Sequence, residues 1–324
     1  MSRIAIVGSG VVGTATGKGF ISKGHEVTFI DISSSRIEAL REMGHEALLP
    51  NEIEWLTPEF VIVTVSTPPH ARTGAVVLDY IKNAMETVGI LVGQAHQSAI
   101  FPIVVVRSTV PPGTTLNVLL PLIEEHSDLQ VGQHFGLCMQ PEFLRAKSSE
   151  EDFLHPWATV IGQYDEPSGT ALQDLYVGFS GTFYRFSIPE AEALKYAHNL
   201  RNATIISFNN EMWWALRQMG IENPNAVLAA VTQTAESAWN PQYGSIGGRP
   251  YGGTCLPKDT QGLLAHAISR GISMPLLRSV VEVNHMFDLF AHEGQVEQAV
   301  IEGLAWKINP ILAALQAVQG AAAD

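Results

Sequence analysis

Apolar residues along this chain fall into short dense runs separated by polar, glycine-rich or proline-rich breaks. Segment 3–7 (Arg-Ile-Ala-Ile-Val) is a β-branched run of strand length, and Gly8-Ser9-Gly10-Val11-Val12-Gly13 follows at once. A helix-length segment to about residue 23 comes next, then a second strand over 26–30 that ends in Asp31. The alternation continues with strands at 60–65, 102–106 and 134–139 and helices at 78–92 and 114–125. A strand pair at 158–161 and 182–186 brackets a helix at 167–178. Strands alternating with helices predict an α/β domain with a Rossmann-type, doubly wound parallel sheet, whose ligand crevice lies at the strand C-termini.

Past residue 188 the strand signals stop. No proline occurs between Pro189 and Pro224. A proline in the first turn and Gly220 at the end are start and stop signals, so 189–220 reads as one helix of roughly 30 residues, about 45 Å long. Helices after Asn223-Pro224, at 261–269 and from 274 to about 306 complete an all-α domain built on that long central helix.

The first glycine turn carries recognisable chemistry. Gly8 permits a tight turn, Gly10 lets a pyrophosphate reach the helix N-terminus beside Val11 and Val12, and Gly13 lets helix and strand pack closely. Asp31 would accept from a ribose 2′-hydroxyl and repel a 2′-phosphate, which predicts NAD over NADP. Arg36, five residues on, is the one cofactor-site residue that could blur this preference; the alternative is a solvated helix face. Ser66-Thr67-Pro68 and Ser108-Thr109 follow strands, so Thr67 and Thr109 should face the ligand crevice, or else cap nearby backbone groups. Cys138, inside a strand, reads as core.

Further positions suggest catalysis. Glu142 directly follows a strand, and Lys195 and Asn199, four apart, share one face of the long helix, the alternative being a snorkelling surface lysine with an unrelated asparagine. The stretch Tyr251-Gly252-Gly253-Thr254-Cys255-Leu256-Pro257-Lys258-Asp259 places a thiol just before an expected helix, with Asp259 a plausible N-cap. A thiol there is a candidate nucleophile, the alternative being a glycine-rich turn around a small apolar residue. The loop at 240–250, with Tyr243, is glycine-rich and aromatic and suits wrapping a ligand.

Composition narrows the field. A 324-residue chain with 46% hydrophobic and 16% charged residues has room for two domains with real cores. A net charge of −13 argues against nucleic acid or an anionic membrane as partner. Two cysteines make no disulfide framework, no apolar run is long enough to span a bilayer, and no leader precedes the first strand, so a cytoplasmic protein is expected. No metal site is assigned.

Taken together these motifs resemble the UDP-glucose/GDP-mannose dehydrogenase family. The resemblance rests on the glycine turn with Asp31, Thr67-Pro68, Ser108 to Thr114, Pro141-Glu142-Phe143-Leu144-Arg145, Lys195 with Asn199, and Gly252 to Asp259, in order and at matching spacing over about 1–307. It implies oxidation of a sugar C6 alcohol to a carboxylate with two NAD, Cys255 forming a thiohemiacetal and then a thioester. Lys195 with Asp259, Asn199, Glu142 and Thr109 would serve the proton transfers and the oxyanion. Phe143, Leu144, Arg145, Tyr243, Tyr251 and Gly252 would contact the substrate. The implied division is an NAD-binding domain at 1–188, a helical central domain at 189–307 and a short Ala-rich tail at 308–324, where the family has a third, nucleotide-gripping domain. Two departures stand out. Ala146 replaces a second glutamate, and the segment at 41–60 is shorter than usual, which would leave one wall of the cofactor site open. A homodimer about the 189–220 helix, with Trp213 and Trp214, is expected; the alternative is a helix buried within one chain. A two-electron hydroxyacid-type dehydrogenase and a non-catalytic dimerisation or regulatory module are the competing readings.

Overall fold

The computed structural model describes residues 1–293. The expected end of the last helix and the 308–324 tail lie outside the described residues. Eight strands form one sheet: β1 (Arg3–Val7), β2 (Glu26–Ile30), β3 (Glu46–Leu48), β4 (Phe60–Val63), β5 (Ile103–Val106), β6 (Gly136–Met139), β7 (Ala158–Gln163) and β8 (Thr182–Ser187), in the order β3-β2-β1-β4-β5-β6-β7-β8. Every neighbouring pair is parallel except β6–β7, which runs antiparallel through Cys138↔Gln163 and Met139↔Gly162. The described helices are α1 (Val11–Ser22), α2 (Ser34–Glu42), α3 (Asp79–Gln97), α4 (Leu120–Ser127), α5 (Ser149–Leu154), α6 (Glu166–Leu175), α7 (Ile188–Gln218), α8 (Pro224–Thr234), α9 (Glu236–Trp239), α10 (Leu256–Ser269) and α11 (Pro275–Glu293). The first six strands have the spatial order of a dinucleotide-binding sheet, which reverses direction of travel between β1 and β4.

Side-chain alternation assigns the two faces of the sheet. Ala5, Val7, Val61, Val63, Val104 and Val106 point to a core shared with α3, α4 and the start of α7. Ile4, Ile6, Ile62, Val105 and Cys138 point to the other, closed by Phe20 of α1, Phe153 of α5 and Leu172 of α6. Each fully buried aliphatic or aromatic side chain contributes on the order of 1.5–3 kcal/mol, which holds the strands' C-terminal ends in fixed register. Burial pushes the Cys138 thiol up to about 12, so it is inert packing.

The chain packs as two compact units, Met1–His198 and Asn199 onward, meeting inside α7. In the first, Ile188 and Ala191 of α7 are buried against the sheet. In the second, Ala215 of α7 joins Ala267, Ile272 and Met274 in a small core. There Glu211 of α7 caps α11, accepting from the Leu276 and Leu277 amides at 2.6 and 2.8 Å, where the helix N-terminus favours a carboxylate.

Three local readings change. α10 starts at Leu256, not 261; Cys255 is its cap residue, and Asp259 donates its amide to the Cys255 carbonyl at 2.8 Å. Asp259 is therefore inside the first turns and not the N-cap. Pro257 sits in the first turn, where a proline gives up an N–H that has no helical acceptor. The helix expected at 114–125 opens as a π-helical turn, Thr115–Leu119, before α4. The short 41–60 segment supplies β3, and Pro50 beyond it helps wall the large cavity described below.

Candidate active site

Where β1 ends, Gly8 takes φ +97° and turns the chain into α1. Its amide donates to the Ile30 carbonyl at 2.8 Å, and the Thr64 hydroxyl donates to its carbonyl at 2.5 Å, so the turn is held from β2 and β4. A Cβ on Gly13 would lie 2.0 Å from the Gly8 carbonyl oxygen and 2.6 Å from Thr64 Oγ1. A Cβ on Gly10, the residue before α1, would meet no protein atom within 4 Å. Gly13 thus serves helix–strand packing, while the space at Gly10 is open to a ligand approaching the first amides of α1, which have no helical acceptors. Gly13→Ala is expected to destabilise the fold by about 1–3 kcal/mol through forced backbone movement and to weaken NAD binding about tenfold or more. Thermal melting and an NAD titration check this, and parental values for both would contradict the packing account.

Asp31, at the end of β2, is buried. Its Oδ2 accepts from the Ser9 amide at 2.6 Å and its Oδ1 from the Ser33 amide at 2.9 Å. Arg36 reaches Oδ2 at 3.4 Å from an exposed position. Oδ1, with one donor, keeps a free lone pair, so the carboxylate can still accept from a ribose hydroxyl. Gly8, Gly10, Val11, Val12, Asp31 and Arg36 line one cavity of about 590 Å³, within the range of small-molecule sites. These residues fit a dinucleotide: an amide-rich turn for the phosphates and a carboxylate for the ribose.

The same cavity is lined from β4 and β5 by Ser66, Thr67, Ser108 and Thr109. The hydroxyls of two of them are partly committed to the backbone. Thr67 Oγ1 donates to the Thr109 carbonyl at 2.6 Å, and Ser108 Oγ to the Val65 carbonyl at 2.7 Å. Both can still accept. Pro68 is not among the lining residues; its carbonyl takes the Val77 amide at 2.9 Å and closes the loop after β4.

Glu142 also lines this cavity, three residues beyond β6. Its Oε2 accepts from the Leu144 amide at 2.6 Å and its Oε1 meets Lys195 Nζ at 3.1 Å. Lys195 is 6% exposed, so it does not snorkel; its ammonium also donates to the Glu142 carbonyl and lies 5.3 Å from the centre of the Phe143 ring. Phe143 stacks against His198 with centroids 4.7 Å apart. Leu144 packs on the core, and Arg145 grips the buried Asp152 carboxylate through Nε and Nη2 at 3.0 and 2.6 Å, holding that carboxyl well below the usual range.

Two supports have no signature in the sequence pattern. Glu192, fully buried one turn before Lys195, accepts from the Gly113 amide at 2.5 Å and the Thr115 amide at 2.8 Å. It ties the Lys195 helix to the turn that follows Thr109. Arg107, buried at the end of β5, donates to Gln140 Oε1 at 2.6 Å and stacks on Phe153 at 5.4 Å, bracing the residue two before Glu142. Their partners are 77 or more and 33 residues away, too far for any local spacing to reveal.

The remaining candidates lie in the second unit. Cys255 is an exposed free thiol at the start of α10, with Thr254 Oγ1 3.8 Å from its sulfur. Asp259 pairs with Lys258 at 2.9 Å, both exposed. Asn199, Tyr243 and Gly252 are exposed, and Tyr251 is half-buried with its hydroxyl 3.2 Å from Thr260 Oγ1. Among the described residues no helix is long and apolar enough to cross a membrane.

Comparison with known proteins agrees with this geometry. The NAD-binding-domain model of the UDP-glucose/GDP-mannose dehydrogenase family matches residues 2–54 and 50–180, and the family's central-domain model matches 189–286. A GDP-mannose 6-dehydrogenase of Pseudomonas syringae pv. syringae is 34% identical over 331 residues, covering 94% of this chain and 74% of that protein. A UDP-glucose 6-dehydrogenase of Bacillus subtilis is 29% identical over 337 residues, covering 95% and 70%. Among solved structures, a ternary complex of GDP-mannose dehydrogenase from Pseudomonas aeruginosa superposes with a TM-score of 0.80 at 29% identity, over 90% of this chain and 71% of that one. With both family domains matched and the dinucleotide cradle in place, the chain belongs to the UDP-glucose/GDP-mannose dehydrogenase family of NAD-dependent dehydrogenases.

Proposed function

We propose that this protein oxidises the C6 primary alcohol of a nucleotide-linked hexose to the carboxylate, with Cys255 as covalent nucleophile. The observation that carries the reading is that Glu142, ion-paired to the buried Lys195, lines the same cavity as Asp31. NAD, held by the Gly8–Gly13 turn and Asp31, supplies the hydride acceptor for each of the two oxidations. In the first, C6 loses a hydride and the hydroxyl proton passes to water beside Asp259, while Lys195 and Asn199 stabilise the developing negative charge on oxygen. The Cys255 thiolate then adds to the aldehyde carbon. A C–S bond forms, the carbonyl π bond opens and its oxygen takes a proton, giving a thiohemiacetal that again has a hydride to lose. Loss of that hydride and of the hydroxyl proton leaves a thioester. Water positioned by Glu142 and Thr109 adds to its carbonyl, the C–S bond breaks, and carboxylate and free thiol result. With Ala146 in place of a second carboxylate, this step rests on Glu142.

Phe143, Leu144, Arg145, Tyr243, Tyr251 and Gly252 are assigned to substrate contacts. The division into a cofactor domain at 1–188 and a helical domain from 189 follows the same reading, as does action in the cytoplasm, where thiols stay reduced. GDP-mannose is the first substrate to test, because several relatives named GDP-mannose 6-dehydrogenase cover 94% of this chain. A panel of GDP-mannose, UDP-glucose and their N-acetylated analogues, read by NADH release per product, is the test. Two NADH per carboxylate with at least one member supports the proposal; one NADH per ketone or aldehyde, or none with any member, rejects it.

The same proposal includes a homodimer about α7. From Asn199 on, that helix exposes Leu200 (63%), Ile206 (61%) and Trp214 (52%), together with Ile205, Phe208 and Trp213. An apolar surface this extensive on one helix is the kind that partners cover. Light scattering at micromolar concentration should give twice the chain mass, and a monomer would remove the claim.

A further inference from the structure

In the second unit, one side chain reads both backbone groups of the residue that begins the cysteine loop. Asn284, on α11, accepts from the Tyr251 amide through Oδ1 at 2.6 Å and donates from Nδ2 to the Tyr251 carbonyl at 3.1 Å. The Tyr251 hydroxyl adds a third tether, 3.2 Å from Thr260 Oγ1 on α10. Between these tethers runs Gly252-Gly253-Thr254-Cys255, with Gly253 at φ +75° and no protein atom within 4 Å of a Cβ built on either glycine. All four residues are exposed among the described residues. Their two ends are held: by Asn284 at Tyr251, and by α10, whose cap residue is Cys255. α11 in turn is fixed at its own N-terminus by Glu211 of α7.

We infer that Asn284 is a positioning residue for Cys255: its amide clamps the Tyr251 backbone and so sets the conformation from which the thiol attacks. An amide side chain suits this task because it presents one acceptor and one donor in a plane, matching one residue's N–H and C=O. A flexible, glycine-rich loop would otherwise spread the sulfur over many placements, and misplacement by about 1 Å can cost about a hundredfold in rate. The first oxidation does not need the thiol and should not need the clamp. The inference rests on the covalent reading of Cys255 proposed above.

The test uses the full chain with Asn284→Ala and Asn284→Asp. Hydrogen exchange at the Tyr251 amide reads the clamp itself: it should accelerate about tenfold or more in N284A and less in N284D, which keeps an acceptor for that amide. Turnover is followed as NADH per product with a hydrazine trap for free aldehyde. N284A should keep the first oxidation within about threefold while the acid-forming half falls about tenfold or more, so trapped aldehyde appears and NADH per product drops from two towards one. N284D should lie between parent and N284A, and it carries the same test if N284A does not fold. Unchanged acid formation with no trapped aldehyde overturns the inference. So does an equal loss of both oxidations, which is what general unfolding would give. Cys255→Ala separates the two claims: acid formation at the parental rate in that variant sinks the covalent reading, whereas the exchange at Tyr251 reports on the clamp regardless.

Discussion

Cys255→Ser should yield NADH in at most one equivalent per enzyme, with the substrate left at the aldehyde, a loss of about 10³-fold or more in acid formation, the scale seen when a covalent nucleophile is removed. The alkoxide of serine is far less accessible than a thiolate near neutral pH, so the aldehyde would not be captured and its remaining hydride could not leave. Folding should be untouched. Cys255 is exposed at the start of α10, with Thr254 Oγ1 in a weak 3.8 Å contact. Serine is a better residue than cysteine at a helix cap, so the melting temperature should stay level or rise slightly. That combination, a silent second oxidation in a stable protein, separates chemistry from structure. Multi-turnover carboxylate from the serine variant at the parental rate would remove the covalent step. Steady NADH with accumulated free aldehyde would locate the loss at capture.

How much of this was readable beforehand depended on the range over which the relevant contact acts. The glycine turn and Asp31 sit within one strand–helix–strand unit, so spacing alone carried them, and the structure brings both to one cavity. Four-residue strands such as β4 and β5 announce themselves because both faces are buried and every residue is apolar. β3 does not: three residues at the sheet edge, beginning with an exposed glutamate, leave no period to see. The reversal of β7 against β6 is equally hidden, since direction is set by the connection and not by composition. At Thr67 the alternative reading prevailed in part, because a hydroxyl beside an unpaired carbonyl will donate to it even at a cavity wall. For Asp259 the pattern misled outright: an acid of the type favoured at caps looks like one until the proline before it is seen to lie within the first turn. Glu192, Arg107 and Asn284 share a different obscurity. Each acts on backbone or side-chain groups at least 33 residues away, so only the folded chain shows that a buried carboxylate or amide is spoken for.

Lys195→Met is expected to lower the first oxidation by about 10²–10⁴-fold, the usual contribution of a positioned acid–base group. Methionine keeps most of the volume and removes the charge. That leaves the Glu142 carboxylate with the Leu144 amide as donor in a site where its side chain is 15% exposed. The stranded carboxylate should cost about 1–3 kcal/mol of stability, visible as a lower denaturant midpoint. The informative comparison is therefore the pair. In Lys195→Met with Glu142→Gln no unpaired charge remains, and replacing both members of a buried pair is often close to neutral, so most of the stability should return. The first oxidation should not, because the ammonium that meets the developing oxyanion is still absent, and it is read apart from the acid-forming half that Glu142 serves. The cycle then assigns two separate jobs to one side chain: holding Glu142 and serving the substrate. If the double variant recovered its rate together with its stability, Lys195 would be a strut for the Pro141–Arg145 turn, and the proton chemistry would have to be sought on another residue.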